Sequence, residues 1–406
     1  MAKIKATDAL NKISIGKTMI IGRQRSAQTP RLAVIGAGIV GVTIALEAAQ
    51  AGLDVTIFER HSEPYGASVR NFGLIWISGR ANGEELRLAL AARRQWEHLA
   101  SLAPEIGFRP RGSVTLFTRQ DELNLARAAL TNDPRNQRGL SILDSSQLND
   151  MGLDIADNVI GGLYCEQDAS VEPGKAVPAL VRHLKKFANV TVELGAEVDR
   201  VNDGVITLAS GTSFHFDAIV AATGASYGGF LTRHFRPEAI GLGTTRLLMA
   251  QSKPIEQRIS PSIADADTMR YYPFFQFQDA PALADQPELL SRFGTQLLMV
   301  QRAGGEFTLG DTHNYDPGGE FQIDISISAY FIQKANALLP NVNLELATVW
   351  EGYYSRALDT KRAYVAKRLQ DNFLLVTGTG GRGMTMAPAI AQETVEWLSN
   401  YFERTM

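Results

Sequence analysis

The sequence predicts an α/β fold whose parallel sheet is assembled from separated stretches of chain, with a sheet-rich α+β unit inserted between them. Three observations predict it. Residues 32–35, 218–222 and 373–376 are continuous apolar runs, the pattern of parallel strands buried on both faces. A glycine-bearing turn follows each run: Gly36 to Gly41, Thr223-Gly224, and Gly378 to Gly383. The stretch 240–335, between the second and third turns, alternates apolar and polar residues as a sheet does.

The elements follow in order. Residues 31–60 read as strand, helix and strand, and 64–73 is too polar and glycine-rich for regular structure. Leu86, Leu90, Trp96 and Leu99 are spaced for one face of a helix over 83–103. A strand at 112–118, a helix at 120–130 and a short helix opening at Ser145 come next. The stretch 172–178 leads into a helix that ends at 187, before short strands at 190–193, 197–201, 204–208 and 213–216. Further strands are expected at 243–251, 296–302 and 306–310, and the last helix at 388–402. The division this implies is a 1–30 extension, a nucleotide-binding domain from 31–110, 165–235 and 340–406, and a substrate domain from 111–164 and 236–339.

The first turn carries the most chemistry. Gly36 permits the tight turn, Gly38 lets the backbone approach a pyrophosphate, and Gly41 lets helix and strand pack closely. The helix opening at Ile39 and Val40 points its positive end at the phosphates. Eighteen residues after Gly41, the second strand ends at Glu59, where an acceptor for ribose hydroxyls is needed. Tight packing alone would explain the glycines but not the acid in register. The turn is therefore a Rossmann-like dinucleotide site.

Composition sets limits. The chain has 406 residues, of which 45% are hydrophobic and 20% charged, enough for two domains with a large core. A net charge of −3 gives no footprint for nucleic acid, and the basic run at 182–186 suits a solvated helix face. One cysteine, Cys165, excludes an internal disulfide and a paired-thiol redox centre. No run approaches the roughly 18 apolar residues of a membrane span. Residues 18–22 are too short for a signal-peptide core, so a cytoplasmic location is expected. Oligomeric state is left open, and no metal is expected.

NAD and FAD both use the first turn, but a nicotinamide fold is finished within about 150 residues. Turns that recur far downstream suit a longer ligand. The late glycines suggest close backbone approach to something flat, and the helix after them would favour negative charge at a reduced ring. Gly36-x-Gly38-x-x-Gly41, Glu59-Arg60, Gly66-Ala-Ser68, Ala222-Thr223-Gly224 and Gly380-Gly381-x-Gly383 together resemble the D-amino-acid-oxidase-type family of FAD-dependent oxidoreductases, which includes sarcosine and glycine oxidases. The likeness spans nearly all of 31–402. It implies that Ser68, Arg70, Asn71 and Gly73 line the flavin, that Val198 bonds the adenine through its backbone, and that Gly381, Arg382, Gly383, Met384 and Thr385 hold the pyrimidine edge. Residues 66–73 with Trp76 resemble a subgroup associated with phosphonate breakdown.

The family chemistry is hydride transfer from the carbon beside an amine nitrogen, then imine hydrolysis, with no obligatory catalytic side chain. The implied substrate is a small anionic amine, 2-aminoethylphosphonate or its N-methyl derivative; sarcosine, glycine or a D-amino acid is the alternative, and an NAD-dependent dehydrogenase a more distant one. Oxygen as acceptor is left open, because Thr308 stands where sarcosine-oxidase-like members carry a lysine. FAD is expected to be non-covalent, since Arg70 lies near the usual histidine and Cys165 is far from the usual cysteine. An anionic substrate end needs a cation, and Arg356 in Tyr353-Tyr354-Ser-Arg356 is the leading candidate, without the family's usual Arg-Pro. Tyr354, Tyr272, Arg302 and His313 are further candidates. The run at 271–275 reads equally well as core.

Overall fold

The computed structural model describes residues 29–315 and 325–405. Most of the 1–30 extension, and 316–324 of the substrate domain, lie outside them.

A six-stranded sheet runs in the order Val365–Gln370, Phe373–Thr377, Ala218–Ala221, Arg31–Ile35, Asp54–Glu59, Val190–Leu194. All neighbours are parallel except the first pair. Alternation along Arg31–Ile35 explains its two-sided burial. Leu32 and Val34 face a core filled by the helices Ile39–Gln50, Glu84–Leu102, Pro173–Leu184 and Gly383–Thr405. Ala33 and Ile35 face Val201 and Ile206 of the three-stranded sheet 198–215 and Phe216 just after it. The α/β expectation is met.

The second sheet has nine strands. Its order is Asn314–Tyr315, Leu242–Ser252, Phe307–Gly310, Leu298–Gln301, Ser262–Asp265, Ser113–Phe117, Gly161–Cys165, Leu140–Leu143, with Leu346–Ala357 also paired to Leu242–Ser252. One face packs Leu248, Ala250 and Val114 against the helix Ile325–Leu338. The other presents Leu247, Met249, Tyr272 and Tyr354 to Trp76. The cleft lies on this second side.

Three features differ from the sequence expectation. Leu346–Ala357, assigned by sequence to the nucleotide-binding part, is antiparallel to Leu242–Ser252 along almost its whole length and belongs to the second sheet. Ile325–Leu338 is a helix inside a stretch read as sheet. Its Ile325-Ser-Ile-Ser start mimics strand alternation, whereas Ile327, Phe331, Ala335 and Leu338 share one buried helical stripe. The last helix opens at Gly383 rather than 388, so Pro388 sits inside it.

Candidate active site

The three glycine turns lie at the carboxyl ends of adjacent parallel strands, where ligands bind in such sheets. Gly36 has φ +106°, and a Cβ there would fall 2.6 Å from the Ala222 carbonyl oxygen, so the first and second turns touch. At Gly41 a Cβ would come within 1.9 Å of the Gly36 oxygen; this glycine packs the turn and does not line the cleft. Gly38 needs no special φ, and a Cβ on it would approach Ser68 Oγ at 3.2 Å. It caps Ile39–Gln50 without a side-chain bond. Ser68 Oγ accepts the first amide, Ile39 N–H, at 2.9 Å.

Glu59 braces the turn. One oxygen accepts Ala37 N–H at 2.9 Å and the other His61 N–H at 3.0 Å, leaving a lone pair on each for hydroxyls. Asn71 donates to the Ala67 and Ser68 carbonyls and accepts Gly73 N–H, so it shapes the loop as well as facing the cleft. Gly73 is outside the cleft, and a Cβ on it would fall 2.1 Å from the Val171 carbonyl oxygen.

The cleft encloses about 1240 Å³. Ile39, Val40, Arg60, Arg70, Val198, Thr223, Gly224, Gly381, Arg382, Gly383 and Met384 line it, as do Tyr272, His313, Tyr354 and Arg356. Thr385 is behind the wall, its hydroxyl accepting Trp76 N–H at 3.0 Å. Arg302 is also outside: its guanidinium donates to the Val171 and Phe72 carbonyls and pairs with Glu172, which ties strand to loop. Arg302, expected as a substrate ligand, is therefore not among the residues lining the cleft. Thr308 and Arg302 border a separate side pocket of about 610 Å³. Cys165 is buried with its thiol 3.3 Å from the Arg138 carbonyl oxygen, away from the cleft.

Residues not singled out by sequence complete the far end. Tyr271 stacks on His313 with centroids 3.9 Å apart, and its hydroxyl is 3.3 Å from that of Tyr354. Burial pushes both phenols above their ordinary range, so both stay neutral. A Cβ on Gly381 would lie 3.7 and 3.8 Å from these two hydroxyls, which places the tyrosine pair directly over the late glycine turn. Arg356 bridges its backbone to Thr379 of that turn and holds its guanidinium 4.8 Å from the Tyr315 ring centre. Arg80 and Arg382 share one carboxylate, Glu85, at 3.5 and 2.9 Å. Asp311, Gln296 and Trp76 line the same end.

The profile of the FAD dependent oxidoreductase family, DAO, matches residues 31–397. The chain belongs to that family. Its cofactor is FAD, and the cleft fits it: the volume exceeds the roughly 300–1,000 Å³ of ordinary small-ligand pockets. Thr223 Oγ1 and Trp76 Nε1 are buried on its wall without a partner among the described residues. A relative is an opine oxidase component from Agrobacterium tumefaciens (strain Ach5), 26% identical over 160 residues, covering 37% of this chain and 43% of that protein. The tRNA 5-methylaminomethyl-2-thiouridine biosynthesis bifunctional protein of Magnetococcus marinus is 25% identical over 402 residues, covering 90% of this chain and 56% of that one. The chain thus spans about half the length of these curated relatives. Glycine oxidase from Bacillus cereus superposes with a TM-score of 0.73 at 16% identity, covering 92% of this chain and 95% of the other. L-proline dehydrogenase from P. horikoshii gives 0.73 at 18%, covering 92% and 94%. At such identities the likeness establishes the fold. Among the described residues, no helix is long and apolar enough to cross a membrane, and no cluster of ligating side chains suits a metal.

Proposed function

We propose that this enzyme is an FAD-dependent amine oxidoreductase that oxidises a C–N bond of a small anionic amine, with 2-aminoethylphosphonate or its N-methyl derivative as the substrate. Bound FAD supplies the hydride acceptor; the protein's own residues bind, orient and desolvate the amine. The observation that carries the reading is the cationic, aromatic wall above Gly381. Arg356 holds the anionic end of the substrate. Arg80 and Arg382 divide a single carboxylate, which leaves positive charge beside Arg356 suited to a doubly charged phosphonate. Among the described residues of this wall, Glu351 pairs with Arg246 at 3.7 Å and Asp311 Oδ2 lies 3.7 Å from His313 Nε2.

Tyr271 and Tyr354, both neutral, offer hydroxyls to the amine and exclude water from it. The N-terminus of Gly383–Thr405, on the cleft wall, would favour negative charge on a flavin held at the late glycine turn. The imine product hydrolyses to an aldehyde or an oxo acid. A second reading, oxidation of sarcosine, glycine or a D-amino acid, is favoured by Arg356 alone, since one guanidinium suffices for a carboxylate.

FAD is held without a covalent bond in this reading, and acid precipitation should release all the yellow colour. The deciding experiment is anaerobic mixing of the yellow enzyme with 2-aminoethylphosphonate, its N-methyl derivative, sarcosine, glycine and D-alanine. Bleaching of the visible flavin bands by the phosphonates is expected. Bleaching by amino acids alone would remove the phosphonate reading.

A further inference from the structure

We propose that Asp311, held by His313, takes the proton from the substrate's ammonium nitrogen before hydride leaves the neighbouring carbon; this rests on the amine-oxidising reading above. Small aliphatic amines arrive protonated at neutral pH, and the carbon beside the nitrogen gives up hydride only when the nitrogen has a lone pair to form the imine. A base in the cleft is therefore useful. The wall above the late glycine turn contains one buried carboxylate next to an imidazole.

Both side chains are buried and both line the cleft. His313 Nδ1 lies 3.2 Å from the Gly294 carbonyl oxygen, which can only accept, so Nδ1 carries a hydrogen. Nε2 is left facing Asp311 Oδ2 at 3.7 Å. The remaining Asp311 oxygen accepts from Gln296 Nε2 at 2.8 Å. Backbone bonds fix the geometry: Gln296 N–H to the Asp311 carbonyl at 3.0 Å, and His313 N–H to the Phe293 carbonyl at 2.7 Å.

With both ring nitrogens committed, His313 cannot bind the substrate directly. It is a positioning residue, clamped between Tyr271 and the carboxylate. Asp311 is the member that meets the amine. Burial pushes its carboxyl above the ordinary range, while His313 and Gln296 pull it back. Tyr271, Tyr272, Tyr354 and Tyr315 also face this carboxylate, and Arg80, Arg382 and Arg356 stand behind them. The step balances simply. The N–H bond of the ammonium breaks, its electron pair stays on nitrogen, and the proton joins the Asp311–His313 pair. The total charge of the pocket is unchanged, so burial does not oppose the transfer. The neutral amine is then ready to give up hydride, which bound FAD would accept, and the pair returns its proton to water after product departs.

The test is the pH dependence of flavin reduction in the holoenzyme, followed anaerobically with saturating 2-aminoethylphosphonate and, separately, sarcosine. In the wild type the rate should fall on an acidic limb set by the pair. Asp311→Asn should slow reduction about 100-fold or more at pH 7, the usual size of a general-base contribution. Its rate should then climb about tenfold per pH unit, as water supplies free amine in the base's place. His313→Gln should move the acidic limb without abolishing the rate. An Asp311→Asn enzyme with the wild-type pH profile, however slow, overturns the proposal. If that variant loses its flavin, the His313→Gln profile decides instead, an unmoved limb being fatal. Failure of the amine reading looks different: the wild type then stays yellow with both probes, and the proposal falls with it.

Discussion

Residues whose chemistry is local were legible in the sequence. Gly36, Gly38 and Glu59 act through the backbone within one turn–helix–strand unit, so spacing alone located them. Replacing Glu59 by Gln keeps the shape but sets an amide N–H₂ against one of two backbone donors, Ala37 or His61. A hydrogen bond to a charged group contributes about 1.5–3 kcal/mol. The Kd for FAD should therefore rise about 10- to 100-fold, read as flavin lost on gel filtration. Arg356, expected from sequence as an anion ligand, lines the cleft, and its role there is the one proposed above. Arg356→Ala should raise KM about tenfold or more and leave kcat nearly unchanged, because the contact is made in ground and transition states alike. Steady-state kinetics on the amine that bleaches the flavin would check it. Asp311, Tyr271 and Gln296 carried no local signal. Sheet pairing between strands distant in sequence brings them to the glycine turn, and Arg302, equally plausible by type, is carried elsewhere by the same pairing.

At the scale of elements, proline and alternation misled. Pro388 looked like a helix start, yet Gly383–Thr405 runs through it. Proline has no N–H to give the Met384 carbonyl one turn earlier, and that oxygen instead accepts the indole N–H of Trp96 at 3.0 Å. The borrowed bond lets the helix begin five residues early, with Gly383 and Met384 on the cleft wall. Trp96 comes from Glu84–Leu102 and is fully buried, so it couples the two helices. Trp96→Phe should leave that carbonyl unsatisfied and cost about 1–3 kcal/mol. The midpoint of chemical unfolding should fall accordingly, and flavin retention should weaken with it, since the turn before the helix loses its brace. An unchanged midpoint would mean that the carbonyl finds another donor. Ile325–Leu338 illustrates the opposite error, a helix whose opening isoleucines and serines imitate a strand.

For the whole molecule, the discontinuous α/β architecture was readable because each parallel strand is uniformly apolar, whereas the partition between sheets was not. Leu346–Ala357 alternates too weakly to reveal its partner, and only its pairing with Leu242–Ser252 assigns it. The second sheet also contains a liability that the sequence did not disclose. Asp265 is buried at the end of Ser262–Asp265, one oxygen accepting Leu297 N–H at 3.1 Å and the other without a partner among the described residues. Burial foremost, then Asp267 nearby, pushes its carboxyl up to about 7. In the unfolded chain the same group titrates near its ordinary value of about 4. Between those two values the folded protein binds a proton that the unfolded chain has already lost. Stability must then fall as pH rises through that window, by about 1.4 kcal/mol per unit and about 4 kcal/mol in all. The contribution is complete below about pH 4 and gone above about pH 7. Asp265→Asn mimics the protonated form at every pH. Unfolding midpoints measured from pH 3.5 to 8.5 should show the variant matching the wild type at the acid end and exceeding it at the alkaline end. Parallel curves for the two proteins would show that the Asp265 carboxyl titrates alike in the folded and unfolded chains.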